Sequence, residues 1–153
     1  MTVQLTVSSG CAAQSGWTGT TAFSLGTIQN ENSKMSGGVE VISQSFGTSN
    51  NNKGWSVLGQ KRVITIKGRN TASSLANAQA FERNLYLICK YQTETMTGDR
   101  TCRYYNSTSV VYSIATSPGV QGMIVDYNVT KREGGGLNTV DYVITFVECT
   151  NII

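Results

Sequence analysis

Residues 61–90 constrain the fold of this chain more than any other stretch. They read KRVITIKGRNTASSLANAQAFERNLYLICK. Val63, Ile64 and Ile66, interleaved with Thr65 and Lys67, read as a strand, because β-branched residues suit a pleated surface. Gly68 and the polar residues after it break that pattern. Ser73 or Ser74 then opens a helix over about 74–90, since a hydroxyl there can accept from the orphan amides of the first turn. Leu75, Ala78, Phe81, Leu85 and Ile88, with Cys89 beside them, recur at helical spacing and form one apolar face. No other stretch carries a helical stripe. A lone amphipathic helix must bury that face against a sheet. The expected fold is therefore mainly β: an antiparallel sandwich or partly closed barrel with one packed α-helix. A doubly wound parallel sheet is excluded, because it needs a helix after nearly every strand.

The remaining segments fill in that picture. Val3, Leu5 and Val7 alternate on a first strand, and residues 20–28 make a second, weaker one. Residues 39–46 alternate again. Residues 101–105 and 109–116 read as two short strands around Asn106. Ser117, Pro118 and Gly119 signal a turn. A long C-terminal hairpin closes the chain. One arm spans 121–131, with Met123, Val125, Tyr127 and Val129 on one face. The other spans 137–147, with Tyr142, Ile144 and Phe146 opposite Val143, Thr145 and Val147. Its tip contains Gly134, Gly135 and Gly136, which tolerate the positive φ of tight turns. Long loops are expected at about 8–19, 29–38 and 47–54, the last holding Asn50, Asn51 and Asn52. The packing residues are read as Val63, Ile64, Ile66, Phe81, Leu85, Ile88, Val125, Tyr127, Ile144 and Phe146.

A length of 153 residues suits one domain over 1–153. Only 14% of residues are charged, and the net charge is +3. That balance is too weak to argue nucleic-acid binding by electrostatics, and it suits a surface that meets protein. The opening residues show no basic and apolar leader, so no secretory signal is expected. No apolar run approaches the roughly eighteen residues of a membrane span.

Residue chemistry argues against an enzyme. There is no histidine, so Ser-His and Cys-His nucleophile pairs are absent. Asp126 and Asp141, on the two arms of the final hairpin, could form a carboxylate pair, but solvent-side charges opposite Lys or Arg are the simpler reading. The three glycines precede a strand and lack a P-loop lysine, so they are not a phosphate cradle. Lys61, Arg62, Lys67 and Arg69 make a small basic cluster. Tyr104, Tyr105 and Tyr112 could stack on bases or sugars, although tyrosines more often pack on sheets. Cys11, Cys89, Cys102 and Cys149 show no metal-site spacing, and no cofactor is expected. Reduced buried thiols and disulfides, within or between subunits, both remain open. Cys89 and Cys102 are close enough in sequence to pair. Cys11, in a loop near the start, is the first candidate for a bond between subunits. Two function classes remain: an assembly subunit, and a β-rich carbohydrate- or receptor-binding module.

Two stretches carry a resemblance. The strand Arg62, Ile64, Thr65, Ile66 and Gly68, followed by the helix with Ala76, Ala78 and Leu85, resembles a pattern in structural proteins of tailed-bacteriophage tails. The stretch KREGGGLNTVDYVITFVEC, with Tyr142, Ile144, Phe146 and Glu148, is similar to their closing hairpin. The resemblance implies a non-enzymatic virion subunit, assembled in the host cytoplasm, that oligomerises into rings or a tube as tail tube, baseplate hub or distal-tail adaptor. Its implied partners are copies of itself and neighbouring tail proteins, with passive DNA contact in a lumen. Asn50, Asn51, Asn52 and Gly134, Gly135, Gly136 then become the expected contacts between subunits.

Overall fold

The computed structural model describes residues 2–42, 53–94, 98–131 and 138–150. The chain runs β1 (Val3–Thr6), α1 (Ser9–Ala12), β2 (Ala22–Ser24), β3 (Thr27–Ile42), β4 (Lys53–Thr71), α2 (Leu75–Glu94), β5 (Cys102–Asn106), α3 (Tyr112–Ala115), β6 (Val120–Lys131) and β7 (Thr139–Glu148). The class is mainly β with one long packed helix. The strands form one sheet in the order β2-β1-β5-β6-β7-β4-β3, every neighbouring pair antiparallel.

That order rolls the sheet. β2 and β3 lie at opposite edges, yet only Leu25 and Gly26 separate them in sequence. The two edges must therefore approach one another at that corner, although no ladder joins them among the described residues. Leu25 donates its N–H to Val3 O at 3.0 Å, and the buried Tyr142 hydroxyl donates to Leu25 O at 2.5 Å. Gly26 makes the turn with φ of 76°. A Cβ there would lie 2.5 Å from Arg69 O, so no other residue fits without moving the backbone.

A second bridge spans the roll farther along. Glu31 of β3 accepts from the Tyr104 hydroxyl at 2.5 Å, from Asn106 Nδ2 at 3.1 Å and from the Ser109 hydroxyl. In a flat sheet, β3 and β5 would stand about 19 Å apart, four strand spacings. Only strong curvature brings these side chains together. Inside the roll lie Leu5, Leu25, Ile64, Ile66, Tyr104, Ile144 and Phe146, all buried.

Helix α2 contributes Phe81, Leu85 and Ile88 to the same core. Phe81 packs between Phe23 and Tyr142, with ring centroids 5.2 Å from each. Burying such a side chain stabilises by roughly 1.5–3 kcal/mol. Ser74 is the N-cap, accepting from Asn77 N at 3.2 Å. Two amides on the helix imitate strand pairing. Asn84 takes both backbone groups of Thr18, at 2.9 and 3.2 Å. Gln92 takes both backbone groups of Ile124, at 2.8 and 3.0 Å. Backbone groups that would otherwise lack partners are thus satisfied by the helix.

Several expectations need correction. Residues 29–38, read as a loop, lie inside β3. Their polarity hid the strand, because a single backbone ladder to β4 holds this edge and no alternating core face is needed. The weak strand read over 20–28 breaks at Leu25 and Gly26 into β2 and the start of β3. Residues 109–116 form no strand: α3 occupies 112–115. β5 already pairs on both sides, with β1 and β6, so the next segment has no edge to join. Loop 8–19 contains α1, capped by the Ser8 hydroxyl, which accepts from Cys11 N at 3.3 Å. In loop 47–54, Lys53 and Gly54 belong to β4 and residues 47–52 lie outside the described residues. Val125 is 61% exposed, not a packing residue. A bulge between Ile124 and Asp126 switches the inward face of β6, so Ile124 is buried before it and Tyr127 packs against the core after it.

Candidate interaction surface

The longest hairpin of the molecule is β3–β4, and its two halves differ. From Val63 to Arg69, β4 is paired on both sides, with β3 and with β7, and Asn70 and Thr71 continue on β7 alone. Beyond that, Ser36, Gly38, Val39, Glu40, Val41 and Ile42 pair with Lys61, Leu58, Ser56, Trp55, Gly54 and Lys53, and no third strand flanks them among the described residues. This two-stranded arm extends past the sheet and carries Val39, Val41, Ile42, Trp55, Val57 and Leu58 in its sequence. The outer edge of β3 is unpaired along its 16 residues among the described residues. Unpaired edges are templates for pairing with another chain.

Two exposed apolar groups accompany the arm. Leu75 and Tyr86 of α2, 51% and 52% exposed, face Val129 and Val140 across a groove that also contains Glu82, Arg83 and Lys131. Leu75, read from sequence as part of the buried face, thus stays outside the core. Val110, just before α3, and Tyr112, its first residue, are exposed.

The other sequence candidates resolve differently. Asp141 pairs with Arg69, its cross-strand neighbour, at 3.0 Å. Asp126 stands opposite Thr145, four positions along the hairpin from Asp141, so the two carboxylates do not form a facing pair. Of the basic cluster, Arg62 and Arg69 make intramolecular ion pairs. Tyr104 is core, with its phenol pushed above its ordinary range by burial and then by Glu31. Among the described residues no three His, Cys, Asp or Glu groups are placed to hold a metal ion, and no helix is long and apolar enough to cross a membrane. Asn50, Asn51, Asn52, Gly134, Gly135 and Gly136 lie outside the described residues. The Glu31 bridge was missed from sequence, because its partners are 73–78 residues away.

The four cysteines are free thiols, and they gather around Cys102. Burial first, then the proximity of Cys11, Cys89 and Cys149, raises the Cys102 thiol. Burial pushes Cys11 and Cys89 up to about 11, and raises Cys149 as well. At neutral pH all four are protonated, the unreactive form in thiol exchange. Cys11 is 3% exposed within α1, so reaching another subunit would require that helix to move away from the core.

No protein-family model and no curated relative matches the sequence. Solved structures do match in shape. One is a chain from the tail of an empty gene transfer agent particle, described with helical refinement and C6 symmetry. It has a TM-score of 0.53 and 7% identity, over 96% of this chain and 90% of that one. Another, from the virion of a native gene transfer agent particle, matches with TM-score 0.48 and 7% identity over the same shares. The chain therefore shares its fold, along nearly its whole length, with a chain from the tail of a gene transfer agent particle.

Proposed function

We propose that this chain is a non-enzymatic structural subunit of a phage-like tail, located in the virion, where copies of it assemble into rings that stack as a tube. The observation that carries this reading is the fold match to the tail chain over 96% of the sequence. The chain's own physics agrees. An unpaired edge and an unflanked arm with apolar residues are costly in isolation and useful between subunits. Head-to-tail contacts of this kind close into a ring when the rotation per subunit permits. The neighbour's C6 symmetry makes a hexamer the first ring size to expect. In this reading the partners are further copies of the chain and adjoining tail proteins. The arm tip, with Asn50, Asn51 and Asn52, and the β6–β7 tip, with Gly134, Gly135 and Gly136, are the contacts between copies. The same assembly serves a tube or a baseplate adaptor.

The test is light scattering and negative-stain microscopy of the purified chain, with and without reductant. Rings or stacked rings support the reading. A monomer at every concentration, which also fails to join rings seeded with preassembled tail, would refute it. Loss of rings on reduction would assign cysteines to the interfaces.

A further inference from the structure

At one end of the roll, β3 to β7 and α3 surround a cavity of about 560 Å³ whose wall includes Met35, Arg62, Arg103, Ser113, Gln121 and Glu148. Its donors outnumber its acceptors. Arg62 Nε lies 2.6 Å from Glu148 Oε2, an ion pair by distance. Its N–H is nevertheless left without a hydrogen bond among the described residues. Both statements hold, because charges attract at that separation whatever the angle, whereas a hydrogen bond needs the N–H aimed at the oxygen. The Arg62 side chain is only 15% exposed. Ser113 Oγ is buried and has no partner among the described residues. Arg103 forms no ion pair among the described residues. One N–H of the Gln121 amide is held by Thr101 Oγ1 at 2.8 Å. Two guanidinium groups thus face one carboxylate across a concave wall, and a buried hydroxyl points to no acceptor.

Buried donors are normally paired, and a guanidinium fork matches the planar or tetrahedral geometry of an oxyanion. A concave wall with net positive charge concentrates the field on whatever enters it. We propose that this cavity binds an oxyanionic group, a carboxylate or a phosphate, through Arg62, Arg103 and Ser113. Glu148 stays on Arg62 and cancels one charge. Arg103 then supplies the countercharge, while Arg62 Nε and Ser113 Oγ supply directed hydrogen bonds. The anion has two sources: a free phosphate-type anion, or an Asp or Glu side chain from another protein or a second copy. The site is complete on one chain and does not rest on the assembly reading.

The experiment is a set of thermal melts of the full chain at constant ionic strength. Chloride is replaced stepwise by inorganic phosphate in one series and by acetate in another. The expected result is a saturable rise in Tm, with R103Q and S113A each weakening the apparent affinity about tenfold, the factor expected for one lost charge-assisted contact. A rise in phosphate alone names a phosphate-type ligand, and a rise in acetate names a carboxylate side chain. The proposal is overturned if neither anion raises Tm. It is equally overturned if the rise is unsaturable and unchanged in both variants, because that is general salt exclusion from the protein surface. S113A removes only a hydroxyl, so it remains informative should R103Q fold poorly.

Discussion

The two long hairpins of this chain, β6–β7 and β3–β4, live in different circumstances. β6–β7 is flanked by β5 on one side and by β4 on the other. Its inward residues Ile124, Tyr142, Ile144 and Phe146 are all buried. The β3–β4 hairpin shares that security only over its inner half, where β4 also pairs with β7 from Val63 to Thr71. Among the described residues its outer half has one ladder and no flanking strand. A two-stranded hairpin alone is marginal in water, so one hairpin is secured within the monomer, while the other is the one that the proposed assembly would flank. Stability and assembly should therefore separate when each region is altered.

Phe81→Ala is expected to have the largest effect, about 3–5 kcal/mol, because it empties the space between Phe23 and Tyr142. A denaturant melt with an unchanged midpoint would take Phe81 out of the core. Tyr142→Phe should cost about 1–3 kcal/mol by leaving the Leu25 carbonyl without its buried donor. Its effect belongs to the corner where the sheet edges meet, so a near-neutral result would count against that closure. Glu31→Gln should cost about 1–2 kcal/mol, since the charge is lost and an amide NH2 donor takes the place of one of the two oxygens that accept the three hydrogen bonds. At the other end of the comparison, replacing residues 38–58 by an Asn-Gly turn should move the melt by less than about 1 kcal/mol, because shortening a hairpin arm changes closure entropy only slightly. The same variant should lose all assembly by light scattering. Equal damage to stability and assembly would erase the distinction between the two hairpins.

The thiols add a pH dependence to the buried region alone. Cys11 and Cys89 titrate near 9.0 when unperturbed and about 11 in the fold. Between those values the unfolded chain has released protons that the folded chain still holds, so stability is whole below pH 9 and falls as pH rises toward 11. A melt series across that range should show the fall, and replacing Cys11 and Cys89 by serine should make it shallower, the remainder coming from the raised Cys102 and Cys149 thiols.

The sequence disclosed those parts of the fold whose side chains carry their own periodicity. Phe81, Leu85 and Ile88 announced α2, read as about 74–90 and found at Leu75–Glu94. Tyr142, Ile144 and Phe146 announced β7 in the same way. β3 was hidden over residues 29–38, because an edge strand held through its backbone needs no apolar alternation. The run around Tyr112 and Ile114 was too short for strand and helix to differ in pattern. The rolled shape was also hidden, since it arises when Leu25 and Gly26 join strands at opposite edges, a fact set by distant pairings. The candidate site was legible only as low charge and a polar loop over about 47–54; the β3–β4 hairpin itself was not read, the one long hairpin expected being the C-terminal one. The Glu31 bridge and the Arg62–Arg103–Ser113 cavity join residues too far apart in sequence to leave a local signal.

The most direct test of the contrast between the hairpins is amide hydrogen exchange on the chain before and after assembly. The account predicts new protection in the outer half of β3–β4, residues 36–42 and 53–61, and along the free edge of β3. Amides in β6, β7 and α2 should exchange at unchanged rates. Assembly that leaves the arm's rates unaltered and protects β6–β7 instead would contradict it.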